Sequence, residues 1–347
     1  MQGTKGMATG IGSLPQTDIN SALDLIFKCV PQIPFWPQLP KLSAKEGMVA
    51  QFSENLPFIA ANENGVFFST LQSQDKEKAL ESYYEHIIAN DTDYFKITKN
   101  YALGLYRFCQ KLEQEGLKDV SMLKGHTTGP FTLAASINDE QGFPLLHEPI
   151  MMQALLRGLS LKAAWQINLL KKFNKEVLFF IDEPYLGCFG SAYTPMNRDE
   201  VVRGLSEFTQ PLKSEGVYLA VHCCGNTDWS IFTDVPALDI ISFDAFDFLD
   251  KLILYADQLK AFFGRGGVLC WGIVPTLLFT GLETSEILIR KIKEGVKAMA
   301  KKGLEEEVLY RNMLLSPACG LGTFTPEKAE KVFNLLSETS SLIRKFG

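Results

Sequence analysis

Long apolar runs are missing from this 347-residue chain. The most apolar stretches, Val177–Ile181 and Val268–Trp271, fall far short of the ~20 residues a membrane-crossing helix needs, so no membrane partner is expected. An excess of basic residues is also absent: 34 Lys and Arg face 40 Asp and Glu, for a net charge of −6. That balance disfavours nucleic acid and anionic lipid surfaces as partners. The opening Met1-Gln2-Gly3-Thr4-Lys5-Gly6 has no apolar signal-peptide core, so a cytoplasmic location is expected. Cysteine is scarce and odd in number, seven in all, with two of them adjacent. This is no disulfide framework, and in a reducing compartment such thiols stay free to bind metal. Linker-like, low-complexity and fixed-period segments are lacking as well, which predicts one domain over residues 1–347.

What is present is a globular composition, 46% hydrophobic and 21% charged, and one conspicuous stretch, Tyr218-Leu219-Ala220-Val221-His222-Cys223-Cys224-Gly225-Asn226. Val217–Val221 reads as a short buried strand closed by turn residues. On an extended segment, residues two apart project to the same side, so His222 and Cys224 present an imidazole and a thiol together. That is half of a tetrahedral zinc site.

Strand-like segments recur with room for helices between most of them. They are Ala8–Ile11, Gln32–Trp36, Ser121–Lys124, Val177–Ile181, Val217–Val221, Leu238–Phe243, Gly267–Trp271 and Asn312–Leu315. Helices are predicted from Asp18, over Ser43–Asn55, within Ser73–Glu115, and over His147–Asn174, Asn197–Lys213, Ser285–Lys302 and Thr325–Lys345. The turn Asn62-Glu63-Asn64-Gly65 predicts a small inserted hairpin near residues 55–72. Eight strands alternating with helices point to an α/β fold, a (β/α)8 TIM barrel, with a doubly wound open sheet as the rival. The barrel is preferred because polar residues sit at strand ends along the whole chain, where an open sheet would gather them at one switch point.

On a common rim, Cys319 becomes a third metal ligand and Asp244, at the end of the sixth predicted strand, a fourth. Cys223 should face the other way and pack; Cys29, Cys109, Cys188 and Cys270 are expected to be core thiols. Zinc held by two thiolates is a mediocre Lewis acid for water but well suited to keeping another thiol deprotonated. Alkylation of a thiol is therefore expected ahead of hydrolysis.

Four motifs, in order, are shared with a known family: Ile11-Gly12-Ser13-Leu14-Pro15-Gln16-Thr17, Asp182-Glu183-Pro184, His222-Cys223-Cys224 and Cys319-Gly320-Leu321-Gly322-Thr323. Together they resemble the catalytic C-terminal half of cobalamin-independent methionine synthase. Thr128-Gly129-Pro130-Phe131-Thr132-Leu133 is similar to a segment of that enzyme, and also of the corrinoid-dependent methyltransferases and uroporphyrinogen decarboxylase on the same barrel. The resemblance implies zinc on His222, Cys224 and Cys319, with Asp244 where the family has a glutamate ligand. It further implies that Ile11, Gly12 and Ser13 receive the carboxylate of homocysteine and that Asp182 pairs with its ammonium, with Glu46 as a second partner. Backbone N–H groups suit an anion and a rim carboxylate suits a cation, so these assignments also stand physically. A helix cap is the alternative role for Asp182-Glu183-Pro184.

The departures concern the methyl donor. The chain has no counterpart of the synthase's N-terminal half. Leu133-Ala134-Ala135-Ser136-Ile137 also lacks the tryptophan that stacks on the family's folate. The implied donor is therefore a methylcorrinoid on a partner protein, ahead of methyltetrahydrofolate. Pro34-Phe35-Trp36-Pro37 is a candidate docking surface for that protein, with buried packing as the alternative. His126 is a candidate to touch the donor or supply a proton, with a hydrogen-bonded structural histidine as the alternative. The expected activity is zinc-dependent methylation of homocysteine to methionine. Its rivals are transfer to a coenzyme M-like thiol, a non-catalytic zinc or amino-acid binding module, and a porphyrin-type decarboxylase.

Overall fold

The computed structural model describes residues 4–57, 59–62, 65–68, 74–191 and 196–345. Seven parallel strands form one sheet: β1 (Met7–Ala8), β4 (Met122–Thr128), β5 (Glu176–Asp182), β6 (Val217–Cys223), β7 (Ile240–Phe243), β8 (Val268–Val274) and β9 (Met313–Pro317). Their spatial order is β1-β9-β8-β7-β6-β5-β4. The expected hairpin is present as the antiparallel pair β2 (Ile59–Asn62) and β3 (Gly65–Phe68); its turn residues Glu63 and Asn64 lie outside the described residues.

The expectation of a closed (β/α)8 barrel is not met. The sheet curls through 228° and stays open. The predicted second strand, Gln32–Trp36, builds no ladder and is reduced to one bridge, Phe35 to Lys124 on β4. Just beyond it, Gln38 bridges to Ser13. The reason is local. Pro34, Pro37 and Pro40 carry no N–H, so this stretch can accept from a neighbouring strand but cannot return a regular set of donors. Accordingly Lys124 N donates to the Pro34 carbonyl (2.9 Å), and Gln38 exchanges bonds with Gly12 and Leu14 (3.1 and 2.9 Å) on the other side. The segment lies between the two sheet edges without joining them.

Helices pack on the outer face, and alternation along the strands separates the two sides. Phe179, Ile181, Leu219, Val221 and Cys223 join the large core beneath the helices, while Leu178, Phe180, Ala220, Ile240 and Val268 floor the concave side. The long helix predicted over His147–Asn174 runs from Pro149 to Lys171, and that over Asn197–Lys213 from Arg198 to Thr209. The second begins where the Asn197 side chain accepts from the amides of Asp199 and Glu200. Ser43–Asn55 yields only two short turns, Ala44–Glu46 and Ala50–Ser53, parted at Gly47.

One buried carboxylate fixes the turn after β4. Glu183 accepts from Phe131 N (3.0 Å), Thr132 N (2.8 Å) and Thr132 Oγ1 (2.7 Å), satisfying the open amides at the start of the helix Pro130–Ser136. Burial pushes its pKa up to about 7 against the pull of those donors. Gly129 is required because a Cβ there would lie 2.2 Å from the Glu183 carboxyl carbon. Glutamine at 183 would turn an NH2 group toward a backbone N–H. Glu183→Gln is therefore predicted to lower the free energy of unfolding in urea by ~2 kcal/mol, the scale of lost buried bonds to a charged group. A change under about 0.5 kcal/mol, within the range of ordinary surface substitutions, would remove Glu183 as the clamp.

Candidate metal and acceptor site

Parallel register places the strand-end side chains before any loop acts. Asp182 on β5 stands beside His222 on β6, His222 beside Ser242 on β7, and Ser242 beside Cys270 on β8. These four form one polar layer above the apolar floor of the concave side. His222 is buried, and its Nδ1 lies 2.9 Å from Ser242 Oγ, while its Nε2 has no protein partner. A Ser242 oxygen that accepts from Nδ1–H leaves the Nε2 lone pair directed outward.

Two turns bring sulfur to that lone pair. Cys224 follows β6 at Gly225, where the chain passes so close to Gly187 that a Cβ on Gly225 would sit 2.9 Å from the Gly187 Cα. Cys319 follows β9 at Gly320, where a Cβ would meet Ser13 Oγ at 2.2 Å. Ligand atoms of His222, Cys224 and Cys319 all lie within 4.8 Å of one another. The two thiols lie close enough to divide one proton unequally. Cys319 is drawn down to about 4 by the neighbouring Cys224 thiol, with His222 assisting against burial, and Cys224 is pushed up by Cys319 and by burial. An orphaned imidazole nitrogen facing a thiol–thiolate pair is a donor set that fits a soft or borderline divalent metal such as zinc.

The cluster opens into a cavity of about 500 Å³ that also reaches Ile11, Ser13, Gln38, Met48 and Asp182. Gly12 and Ser13 direct their carbonyls to Gln38 N and Leu321 N, which pins the turn against both neighbouring segments. Asp182 is 8% exposed, its Oδ1 has no partner, and burial raises its pKa to about 6 against the pull of His222 and Lys124. The capping role considered for the Asp-Glu-Pro turn belongs to Glu183, which leaves Asp182 free to face the cavity.

No protein-family model matches the chain, and no curated protein matches its sequence. Assignment therefore rests on the residues themselves.

Not every expected site residue joins the cavity. Asp244 stands outside the three-residue cluster; its Oδ1 accepts from Phe246 N (2.9 Å) and Asp247 N (3.0 Å), capping its own turn near His222. Glu46 is buried, with its oxygens on Leu39 N (3.2 Å) and Leu103 N (3.0 Å), where it joins two segments behind the site. His126 is buried against the Trp36 ring (centroids 3.9 Å apart) and beneath Gly12, with neither ring nitrogen paired. Burial, aided by the Lys124 charge, holds its pKa well below the usual range. Phe35 and Trp36 are fully buried, which takes them out of any docking surface. Cys223 faces the helices and bonds to the Gly225 carbonyl, as a packing thiol should. Of the other four thiols Cys188 is exposed, contrary to expectation.

Lys124 and Ser242 were missed. A lysine between Leu123 and Gly125 at the end of the predicted strand Ser121–Lys124 was the available signal for Lys124, because alternation faces it inward. No helix among the described residues is long and apolar enough to cross a membrane.

The purified chain is expected to take up one zinc. Cys224→Ser or Cys319→Ser should weaken zinc binding by about 100-fold or more, and Ser242→Ala by ~10- to 100-fold through the freed imidazole. Competition with a chromogenic chelator reads these affinities. Equal affinity in the wild type and both cysteine variants would reject the site.

Proposed function

We infer that the chain is a zinc-dependent thiol methyltransferase whose acceptor is homocysteine and whose product is methionine, with site residues that resemble those of cobalamin-independent methionine synthase set on an open, curled parallel sheet. The observation that carries this reading is one cavity holding both the His222, Cys224 and Cys319 donors and the unpartnered Oδ1 of buried Asp182. Bound there, zinc would supply the charge that keeps an acceptor thiol deprotonated near neutral pH.

The chain's own groups do the rest. Ser242 fixes the His222 ring through Nδ1. Asp182 offers an oxygen to the acceptor's ammonium, and the Gly12–Ser13 turn offers amides to its carboxylate. This places sulfur in line with the methyl carbon and removes most of the orientational cost of a bimolecular displacement. The new S–CH3 bond forms as the donor–CH3 bond breaks. The electron pair stays with the donor, and the thiol proton leaves to solvent.

Asp182 supports an amino-acid acceptor over a coenzyme M-like thiol, which has no ammonium for it. The metal-ligand cluster supports a metal-assisted transfer over a porphyrin-type decarboxylation. A methylcorrinoid donor is favoured over methyltetrahydrofolate because Leu133–Ile137, where the resembling family carries its folate-stacking tryptophan, has no aromatic and buries Leu133 and Ala134.

Incubation with zinc, homocysteine and either methylcobalamin or methyltetrahydrofolate is expected to yield methionine from the corrinoid. Asp182→Asn should raise KM for homocysteine by about tenfold or more through loss of a buried charged hydrogen bond. Methionine from the folate alone would overturn the donor assignment. Zinc uptake without product from either donor would leave a binding module.

A further inference from the structure

Lys124 is the least expected residue near the site. It projects from β4 into the concave interior, fully buried, and its Nζ makes one protein hydrogen bond, to the Ile11 carbonyl at 2.6 Å. Two aromatic rings also face it, the Phe180 ring 4.2 Å from Nζ and the Phe35 ring 5.7 Å, and Cys270 and His126 lie near enough to feel its charge. An ammonium so placed is costly to bury and is retained only where something compensates it. Two groups do so in part. The Ile11 carbonyl begins the Ile11-Gly12-Ser13 turn, and the Asp182 carboxylate lies close enough for each charge to favour the other.

We propose that Lys124 is a positioning residue that balances the charge of the acceptor pocket and makes it select a zwitterion. Its ammonium holds the Ile11 peptide, and so the turn meant for a carboxylate, while its charge offsets Asp182, meant for an ammonium. With both charges present the interior is neutral overall and matches an amino acid, which is also neutral overall. Without Lys124 the interior carries only the negative charge of Asp182, and a thiol bearing an ammonium but no carboxylate becomes the better match. This proposal rests on the acceptor reading above and adds which charge pattern the pocket demands.

The test compares two thiols on the zinc-loaded full chain by calorimetry: homocysteine and 3-aminopropane-1-thiol, which lacks only the carboxylate. The wild type is expected to prefer homocysteine. Lys124→Gln keeps an N–H donor for Ile11 but removes the charge, and it should cut that preference by about tenfold or more, the loss of one buried charge contact. Lys124→Met removes donor and charge together and should cut the preference at least as far; it also serves where the glutamine variant does not fold. A purely structural lysine would weaken both thiols alike and leave their ratio within about twofold of the wild type, well inside the tenfold expected for a charge contact, and that result overturns the proposal. Failure of the zinc-loaded wild type to bind either thiol would instead overturn the acceptor reading, and the proposal with it.

Discussion

The site depends on the parallel register of β5 to β8. Because side chains alternate sides and neighbouring strands advance in step, one inward layer collects Asp182, His222, Ser242 and Cys270 from four segments scattered over almost ninety positions of the chain. A slip of one residue in any pairing would send that strand's contribution into the helix-covered core and bring a neighbour such as Ile181, Val221, Phe243 or Trp271 to the cavity. The apolar layer below thus specifies the polar one. Phe180, Ala220 and Ile240 pack only if Asp182, His222 and Ser242 stand where they do.

Much of this was legible in the sequence because it follows from alternation and turn chemistry. The His222-Cys223-Cys224 run at the end of an apolar strand gave two candidate ligands on one side and a packing thiol on the other, and the Gly-flanked Cys319 gave a third candidate that the fold brings beside them. The strands β4 to β9 fell where apolar runs met turn residues. What alternation could not reveal was how the sheet ends. Gln32–Trp36 has a strand's apolar content, but Pro34 within it and Pro31 and Pro37 at its flanks deny it the donors of a ladder, so the eighth strand and the closed barrel did not follow. Side-chain commitments were equally hidden. Glu46 looks like a rim carboxylate until backbone amides are seen to occupy both its oxygens, and Asp244 commits its Oδ1 to two amides of its own turn.

The adjacent pair Asp182-Glu183 shows how closely such commitments can divide. Both are buried acids at the end of β5, and burial raises the pKa of both. Glu183 receives two amides and a hydroxyl and becomes part of the scaffold. Asp182, one position earlier on the alternating strand, faces inward with an oxygen unpaired. A lone unsatisfied carboxylate oxygen in a folded core is a standing cost unless a ligand removes it. The same holds for the Nε2 of His222. The two orphans share one cavity, which makes them more readily understood as halves of a binding site than as separate defects.

The open edge of the sheet has its own consequence for the chemistry. In a closed barrel the layer beneath a site is sealed by strands on every side. Here the proline-rich segment lies in the gap between the sheet edges and contributes Trp36 against His126 and Gln38 against the Gly12–Ser13 turn. Those contacts are single bonds and ring faces, with no ladder to share the load. The turn assigned to the acceptor carboxylate is consequently held from three directions by few interactions: Gln38 from the open edge, Leu321 from the loop after β9, and the Lys124 ammonium from below. Of the three only Lys124 carries charge, and it is the one whose burial is costly without function. The metal cluster, by contrast, hangs from the continuous part of the sheet. A His-Cys-Cys cluster on the continuous part of the sheet, beside a sparsely tethered turn, is consistent with the proposed reaction, in which the ligands would stay fixed while the acceptor enters and leaves.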